Sequence, residues 1–364
     1  MNIKLLIVSL ISFMPFARAL DIRQQDKMRG CILGAALGDA LGAPVEFIKS
    51  LQEIKKQYPP DGIQGIQSLK PKSFWLDTYG NKVLPYTDDT AMSIVVLRTL
   101  APNALCSVND ICAKIAQAFA KDMDDPFGWA CPKRAPGISC QKNMIKIKER
   151  LAKKEDKKDP ANWWKAGGPQ DGGCGSVMHA HPIGLFFAHD PQQAELLAVE
   201  HSKITHGAPI ALAACAAMAV GITHAYNDVD PAQVVEHMYH AAAHYDALTA
   251  QKIAKAIAYA KNNSVSSDTV FTEFLGWAAH DAIAAAVYIF MKYPHDLKKA
   301  LLLGVNTPGD SDSIASMAGA LVGARMGYSQ LPIEWLEFLE GKEELILLAD
   351  TLLSISTNKD CNVS

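Results

Sequence analysis

The chain has 364 residues, 49% of them hydrophobic and 20% charged, which is enough apolar material for a large buried core. Its formal net charge of −3 leaves no basic footprint, which argues against binding nucleic acid through phosphate neutralisation.

The first 19 residues read as a leader. Lys4 supplies a positive start, Leu5 to Phe16 is apolar apart from Ser9, Ser12 and Pro15, and Ala17-Arg18-Ala19 fits a small-x-small cleavage site. The alternative is an N-terminal helix packed on the core. A run apolar on every face, broken by proline before the cut, favours a signal peptide over residues 1–19. A mature chain starting near Leu20, periplasmic or secreted and with no membrane contact after cleavage, is the expectation. Export would permit Cys106–Cys112 or Cys131–Cys140 bridges, whereas Cys31, Cys174 and Cys215 sit among small apolar residues as buried thiols. No CxxC pair occurs, which argues against a zinc–thiolate centre.

Helical periodicity dominates the remainder. Alanine-rich runs predict helices at Ile32–Leu41, Ala91–Leu100, Ile111–Lys121, Ala208–Ala225, Ala232–Lys261, Asp281–Lys292 and Ser313–Met326, and strand-like alternation is nearly absent. The most apolar stretch, Ala208–Ile222, opens at Pro209 and falls short of the ~20 residues a bilayer span needs, so it reads as a core helix. Glycines recur at four-residue spacing in Gly30, Gly34, Gly38, Gly42 and in Gly319, Gly323, Gly327. Each costs a helix about 1 kcal/mol against alanine, so close approach of neighbouring backbones is the expected compensation. Loops are predicted at Pro59–Lys82, Lys153–Pro160 and Lys165–Gly175, with a frayed polar tail over 357–364. With no linker and no internal repeat, one all-α domain over residues 20–356 follows.

Two acidic turns carry the chemistry. Tyr86-Thr87-Asp88-Asp89-Thr90 leads directly into an apolar helix, and Thr307-Pro308-Gly309-Asp310-Ser311-Asp312-Ser313 leads into a small-residue helix. Capping explains one acid at a helix start, but two adjacent ones exceed that need. An EF-hand is excluded because glycine and the distant glutamate are not at the required spacing. Four carboxylates and the hydroxyls beside them form a hard oxygen set suited to Mg²⁺ or Mn²⁺, with Ca²⁺ possible. Buried together without cations they would repel one another.

Five segments in order give the chain a resemblance to the ADP-ribosylglycohydrolase family. They are Gly30-Cys31-Ile32-Leu33-Gly34 through Gly38-Asp39-Ala40-Leu41-Gly42 with Glu46; Thr87-Asp88-Asp89-Thr90; Gly173-Cys174-Gly175-Ser176-Val177-Met178; Thr205-His206-Gly207; and Gly309-Asp310-Ser311-Asp312-Ser313 running to Gly327. The resemblance implies an all-α, compact orthogonal multi-helix bundle around a binuclear site. There Thr87, Asp88, Asp89, Asp310, Asp312 and Ser313 would ligate two Mg²⁺ or Mn²⁺ ions that hold ribose hydroxyls and a water. Glu46 and Asp312 would be catalytic, Glu46 as general base or gate; a surface glutamate is the bland alternative. Gly173, Gly175, Ser176, Met178 and His206 would bind substrate. A glycine-dense loop before a helix beginning near Ser176 would suit a diphosphate, though such loops are more often merely flexible. Trp163 and Trp164 are candidates to stack on adenine, or core anchors. His206 has a capping or core role as its alternative, and His179 and His181, two apart, do not suit a shared metal. Serine stands at 313, histidine at 179 and cysteine at 174, where the family usually has threonine, arginine and asparagine.

The implied activity is metal-dependent hydrolysis of a glycosidic bond of ADP-ribose, on a protein side chain or small molecule, by a monomer without nucleic acid. Alternatives are hydrolysis of another ribosyl phosphate or nucleoside derivative, and a non-catalytic ADP-ribose-binding, immunity or lens-type relative. Four mutually repelling acids argue against the last.

Overall fold

The computed structural model describes residues 3–69 and 83–361, with the side chains of 3–21 and 356–361 left outside it. Six helices carry the site or the core beneath it: α1 (Ile3–Gly42), α2 (Asp88–Leu100), α3 (Ile138–Ala152), α4 (Pro209–Tyr226), α5 (Ala279–Lys292) and α6 (Ser311–Met326). Shorter helices pack around them, and among the described residues no sheet forms; the only pairings are isolated bridges, Leu84 with Leu339 and Gly173 with Ala278. The architecture is the all-α bundle expected.

Helix α4 sits at the centre, against Pro191–Ser202, Pro231–Ala243, α5 and α6. It is one described helix long and apolar enough to cross a bilayer, yet 78% of it is buried inside the protein, as expected of a core helix that is hydrophobic all round. Its alanines let these neighbours, and His181–Phe186, approach at once.

Against it lies the most closely packed pair, α1 and α6, which run antiparallel. A methyl on Gly34 would lie 2.5 Å from the Gly319 carbonyl oxygen, and one on Gly42 would lie 2.6 Å from Asp312 Cα. Methyls on Gly319 and Gly323 would press still closer on the carbonyls of Gly34 and Gly30. The glycine spacing therefore is a backbone-to-backbone seam, and it ends at Asp312.

Three expectations are corrected. The run Ala232–Lys261 is two helices, Pro231–Ala243 and Ala247–Lys261. Asp246 breaks it by accepting the Thr249 N–H at 2.7 Å, a cap that the uninterrupted alanine spacing concealed. Lys153–Pro160 contains a short helical turn, Glu155–Lys158. The seven described cysteines are free thiols, so neither the Cys106–Cys112 nor the Cys131–Cys140 bridge is formed.

The leader expected over 1–19 forms the first half of α1; its side chains, and residues 1–2, lie outside the described residues. So do 70–82 of the predicted Pro59–Lys82 loop and 362–364 of the predicted tail, whose earlier residues continue the helix Lys342–Cys361.

Gly34→Ala tests the seam. It is expected to destabilise by about 1–3 kcal/mol, opposite in sign to the gain of about 1 kcal/mol that alanine brings to an ordinary helix. Urea denaturation measures the difference, and a stabilised variant would show that the two backbones are not in contact.

Candidate metal centre

Four helices start at an aspartate whose side chain accepts a backbone N–H two or three residues on: Asp190, Asp230, Asp246 and Asp296. Asp310 occupies the same position before α6 and makes no such bond. Its Oδ2 instead accepts the Cys174 thiol at 2.8 Å. Asp310 thus stays over the start of α6 with one carboxylate oxygen turned to a thiol on the cavity wall. Gly309, with φ +91°, makes the sharp bend that permits this. Asp312 lies in the first turn of α6, where Oδ1 accepts the Ser313 N–H at 2.9 Å.

Glu46 reaches the same point from α1. The chain leaves that helix through the turn Ala43–Val45, and two backbone hydrogen bonds then clip it to the α6 approach: Phe47 N–H to Gly309 O at 2.9 Å, and Gly309 N–H to Ile48 O at 3.0 Å. Carboxylate oxygens of Glu46, Asp310 and Asp312 consequently lie within 4.8 Å of one another.

The other acidic turn is organised by a residue to which sequence reasoning assigned no role. Asp39 is fully buried in the last turn of α1. Its carboxylate accepts from Thr87 N (3.0 Å), Thr87 Oγ1 (2.8 Å), Thr90 N (3.0 Å) and Thr90 Oγ1 (2.5 Å). Both threonines of Thr87-Asp88-Asp89-Thr90 are thereby fastened to α1, which leaves the two aspartates between them projecting from the start of α2. The available signal was a lone carboxylate within the apolar run Ile32–Leu41. Asp88 Oδ2 accepts the Gly137 N–H at 3.0 Å, while Asp89 Oδ1 is buried with no hydrogen-bond partner.

Both turns face one cavity of about 370 Å³, lined by Glu46, Phe47, Asp88, Asp89, Gly137, Ile138, Cys140, Gly173, Cys174, Gly175, Met178, His206, Trp277, Asp310, Asp312 and Ser313, among others. Thr87 and Ser176 are not in this lining. The Thr87 hydroxyl donates to Asp39 and lies 3.3 Å from Asp89 Oδ2, while the Ser176 hydroxyl pairs with Ser202 Oγ at 2.9 Å within the core. His206 is buried, its Nδ1 against Thr205 Oγ1 at 2.9 Å; burial pushes its pKa down to about 4, leaving it neutral. His179 pairs with His201 at 2.9 Å and His181 lies against the Met178 carbonyl at 3.3 Å, so the two do not converge.

The glycine loop differs from expectation. Cys174–Ser176 is a single 3₁₀ turn, and the next helix is only His181–Phe186, so no helix end points at the cavity from Ser176. Trp163 and Trp164 are buried core anchors, the latter donating to Asn109 Oδ1 at 3.3 Å. The aromatic pair at the cavity is Phe47 and Trp277, stacked with centroids 5.1 Å apart and planes 17° apart. Neither was singled out in the sequence; Phe47 beside Glu46 was the available clue.

Electrostatically the site is unfinished. Burial pushes the Asp88, Asp89 and Asp312 carboxyls well above the usual range, and neighbouring carboxylates add to the rise. Asp310 is also raised by burial, and Glu46 is pushed up to about 9 by burial and then by the charges of Asp310, Asp88 and Asp39. An unpartnered buried oxygen costs about 1–3 kcal/mol and more when charged. Divalent cations would complete Asp89 and neutralise the repulsion, and the all-oxygen carboxylate set fits Mg²⁺ or Mn²⁺.

The chain is similar to known proteins over most of its length. Residues 20–361 match the family model described as ADP-ribosylglycohydrolase. The chain is 26% identical over 358 residues to the mouse (Mus musculus) ADP-ribosylhydrolase ARH3, covering 91% of this chain and 92% of that one. It is 27% identical over 339 residues to the ADP-ribosyl-[dinitrogen reductase] glycohydrolase of Rhodospirillum rubrum, covering 91% and 97%. A solved structure, the ADP-ribosylglycohydrolase-related protein complex, superposes with a TM-score of 0.65 at 23% identity over 92% of this chain and 99% of that one, and so shares its fold.

Two outcomes are expected. Asp39→Ala strands the Thr87 and Thr90 N–H groups and should destabilise by at least about 2 kcal/mol, read by denaturation; a neutral result would free Asp39 from its organising role. The second concerns pH. Glu46 has its folded pKa raised from 4.5 to about 9, so its contribution to stability is full below 4.5 and is lost as pH climbs towards 9. Asp88, Asp89 and Asp312 act in the same direction. The rise in Tm caused by Mg²⁺ or Mn²⁺ should accordingly be small near pH 5 and larger at pH 8. A rise independent of pH would place cation binding elsewhere.

Proposed function

The chain belongs to the ADP-ribosylglycohydrolase family, and from that premise we propose that it is a hydrolase cleaving the glycosidic bond between ADP-ribose and a protein side chain or small molecule. The observation that carries this reading is the meeting of both acidic turns on one cavity around the unpartnered Asp89 Oδ1. Thr87, Asp88, Asp89, Asp310, Asp312 and Ser313 would hold two divalent cations. When bound, the cations supply Lewis-acid polarisation and a lowered pKa for a coordinated water, and hold the ribose hydroxyls.

The chain's own residues supply the remainder. Glu46 stands beside Asp310 and Asp312, placed to orient the attacking water and accept its proton once cations have lowered its pKa. Gly173 and Gly175 present bare backbone to the substrate, and Met178 and the neutral His206 complete that wall. His206 thus offers a hydrogen bond rather than a positive charge. At the mouth, the flat faces of Phe47 and Trp277 suit a planar base or acceptor group. The name of the Rhodospirillum relative specifies a protein acceptor; here arginine, serine, another acceptor or a free nucleotide compete on equal terms.

Export of the chain after loss of residues 1–19 is part of the same proposal, supported by Lys4, the apolar run and Ala17-Arg18-Ala19. A non-catalytic binder is disfavoured because it would gain nothing from carboxylates held at such electrostatic cost.

Release of labelled ADP-ribose from a panel of modified acceptors tests the activity. Asp312→Ala should lower turnover by more than about 100-fold, since even residues that merely support a metal ligand matter by 10–100-fold. Full activity in that variant would refute the assignment. Glu46→Gln should slow turnover by about 10²–10⁴ while the cation-induced rise in Tm survives; loss of both would make Glu46 a cation ligand rather than the general base.

A further inference from the structure

Cys174 brings sulfur into a site otherwise built from oxygen. Its thiol is buried on the cavity wall, 2.8 Å from Asp310 Oδ2 and 3.8 Å from Ser313 Oγ. Ligands of one ion stand at comparable separations. Bonds of about 2.1 Å to a carboxylate oxygen and 2.3 Å to a thiolate sulfur put those atoms about 3.1 Å apart at a right angle and about 3.6 Å apart at a tetrahedral angle. Two further observations indicate a missing ligand rather than a finished core contact. Asp89 Oδ1, on the same cavity, is buried without a partner. Asp310 has forgone the capping bond that the four other helix-starting aspartates make. Cys140, the second thiol on this cavity, faces the Gly175 carbonyl at 3.8 Å and is not aimed at a carboxylate.

Resting on the cation-dependent reading above, we infer that Cys174 is a ligand of the cation held by Asp310 and Ser313, and that this position selects a borderline first-row ion such as Fe²⁺, Co²⁺ or Zn²⁺ over Mg²⁺. Magnesium is hard and demands oxygen, whereas thiolate favours softer ions. On ligation the Cys174 proton leaves to solvent, and Asp310 exchanges the thiol donor for the cation. A purely supporting role, in which the thiol only donates to Asp310, would be met equally well by a hydroxyl.

The full chain is titrated with Co²⁺ and, separately, Mg²⁺, following heat and near-ultraviolet absorption. Cobalt bound to the wild type should show a sulfur-to-cobalt charge-transfer band. Cys174→Ser and Cys174→Asn should lose that band and at least about 10-fold in Co²⁺ affinity, while Mg²⁺ affinity is unchanged; circular dichroism and the Mg²⁺-induced rise in Tm verify that both variants fold. Cobalt binding without the band, or equal Co²⁺ affinity in the variants, overturns the sulfur ligand and leaves the cation-dependent hydrolase standing. If neither ion binds the wild type, both readings fall together.

Discussion

The contact on which everything else depends is the one between the backbones of α1 and α6. Without side chains at Gly30, Gly34, Gly38 and Gly42, the two helices touch backbone to backbone along more than three turns, and the seam terminates at Asp312. Asp39 and Glu46 come from the α1 side of this seam, Asp310 and Asp312 from the other. Their carboxylates converge because the helices cannot be further apart without opening a gap along their length. Dispersion and the burial of Cys31, Leu33, Leu37 and Leu41 around the seam hold it shut. The stability of the seam is thus what sustains a cluster of acids that would otherwise push its carriers apart.

Buried aspartates here divide into two kinds by what surrounds them. Asp39 receives hydrogen bonds from two hydroxyls and two backbone amides, so its charge is answered from within the chain and it acts as a clamp. Asp89, one helix away, keeps an oxygen unanswered. The same side chain is structural in one place and available in the other, and the difference lies wholly in the local supply of donors. Asp310 makes the point again: it stands where four other aspartates cap helices, and it does not cap.

The acidic turns were legible because a pair of acids at a helix start exceeds what the helix dipole rewards, and the glycine stripe was legible because it violates helix propensity repeatedly at one spacing. Asp39 was harder to read, since a single acid in an apolar run gives no hint of which distant donors will find it. Trp163 and Trp164 illustrate the reverse error: aromatic residues beside a glycine loop suggested stacking, but tertiary packing took both indoors. Phe47 and Trp277, separated by most of the chain, meet only through the Glu46 clip and the bridge of Gly173 to Ala278, which no local pattern encodes. The missed break at Asp246 is similar in kind, a cap outvoted by alanine periodicity.

Segments around residues 46, 88, 137, 174, 277 and 310 each contribute one face of the cavity, so no fragment of the chain presents more than a fraction of the donor set. An unfolded or partly folded polypeptide has only scattered carboxylates with little preference among ions. Discrimination begins when the last of these segments docks. Were the site to take a cation, its choice among ions would be made only once folding is complete.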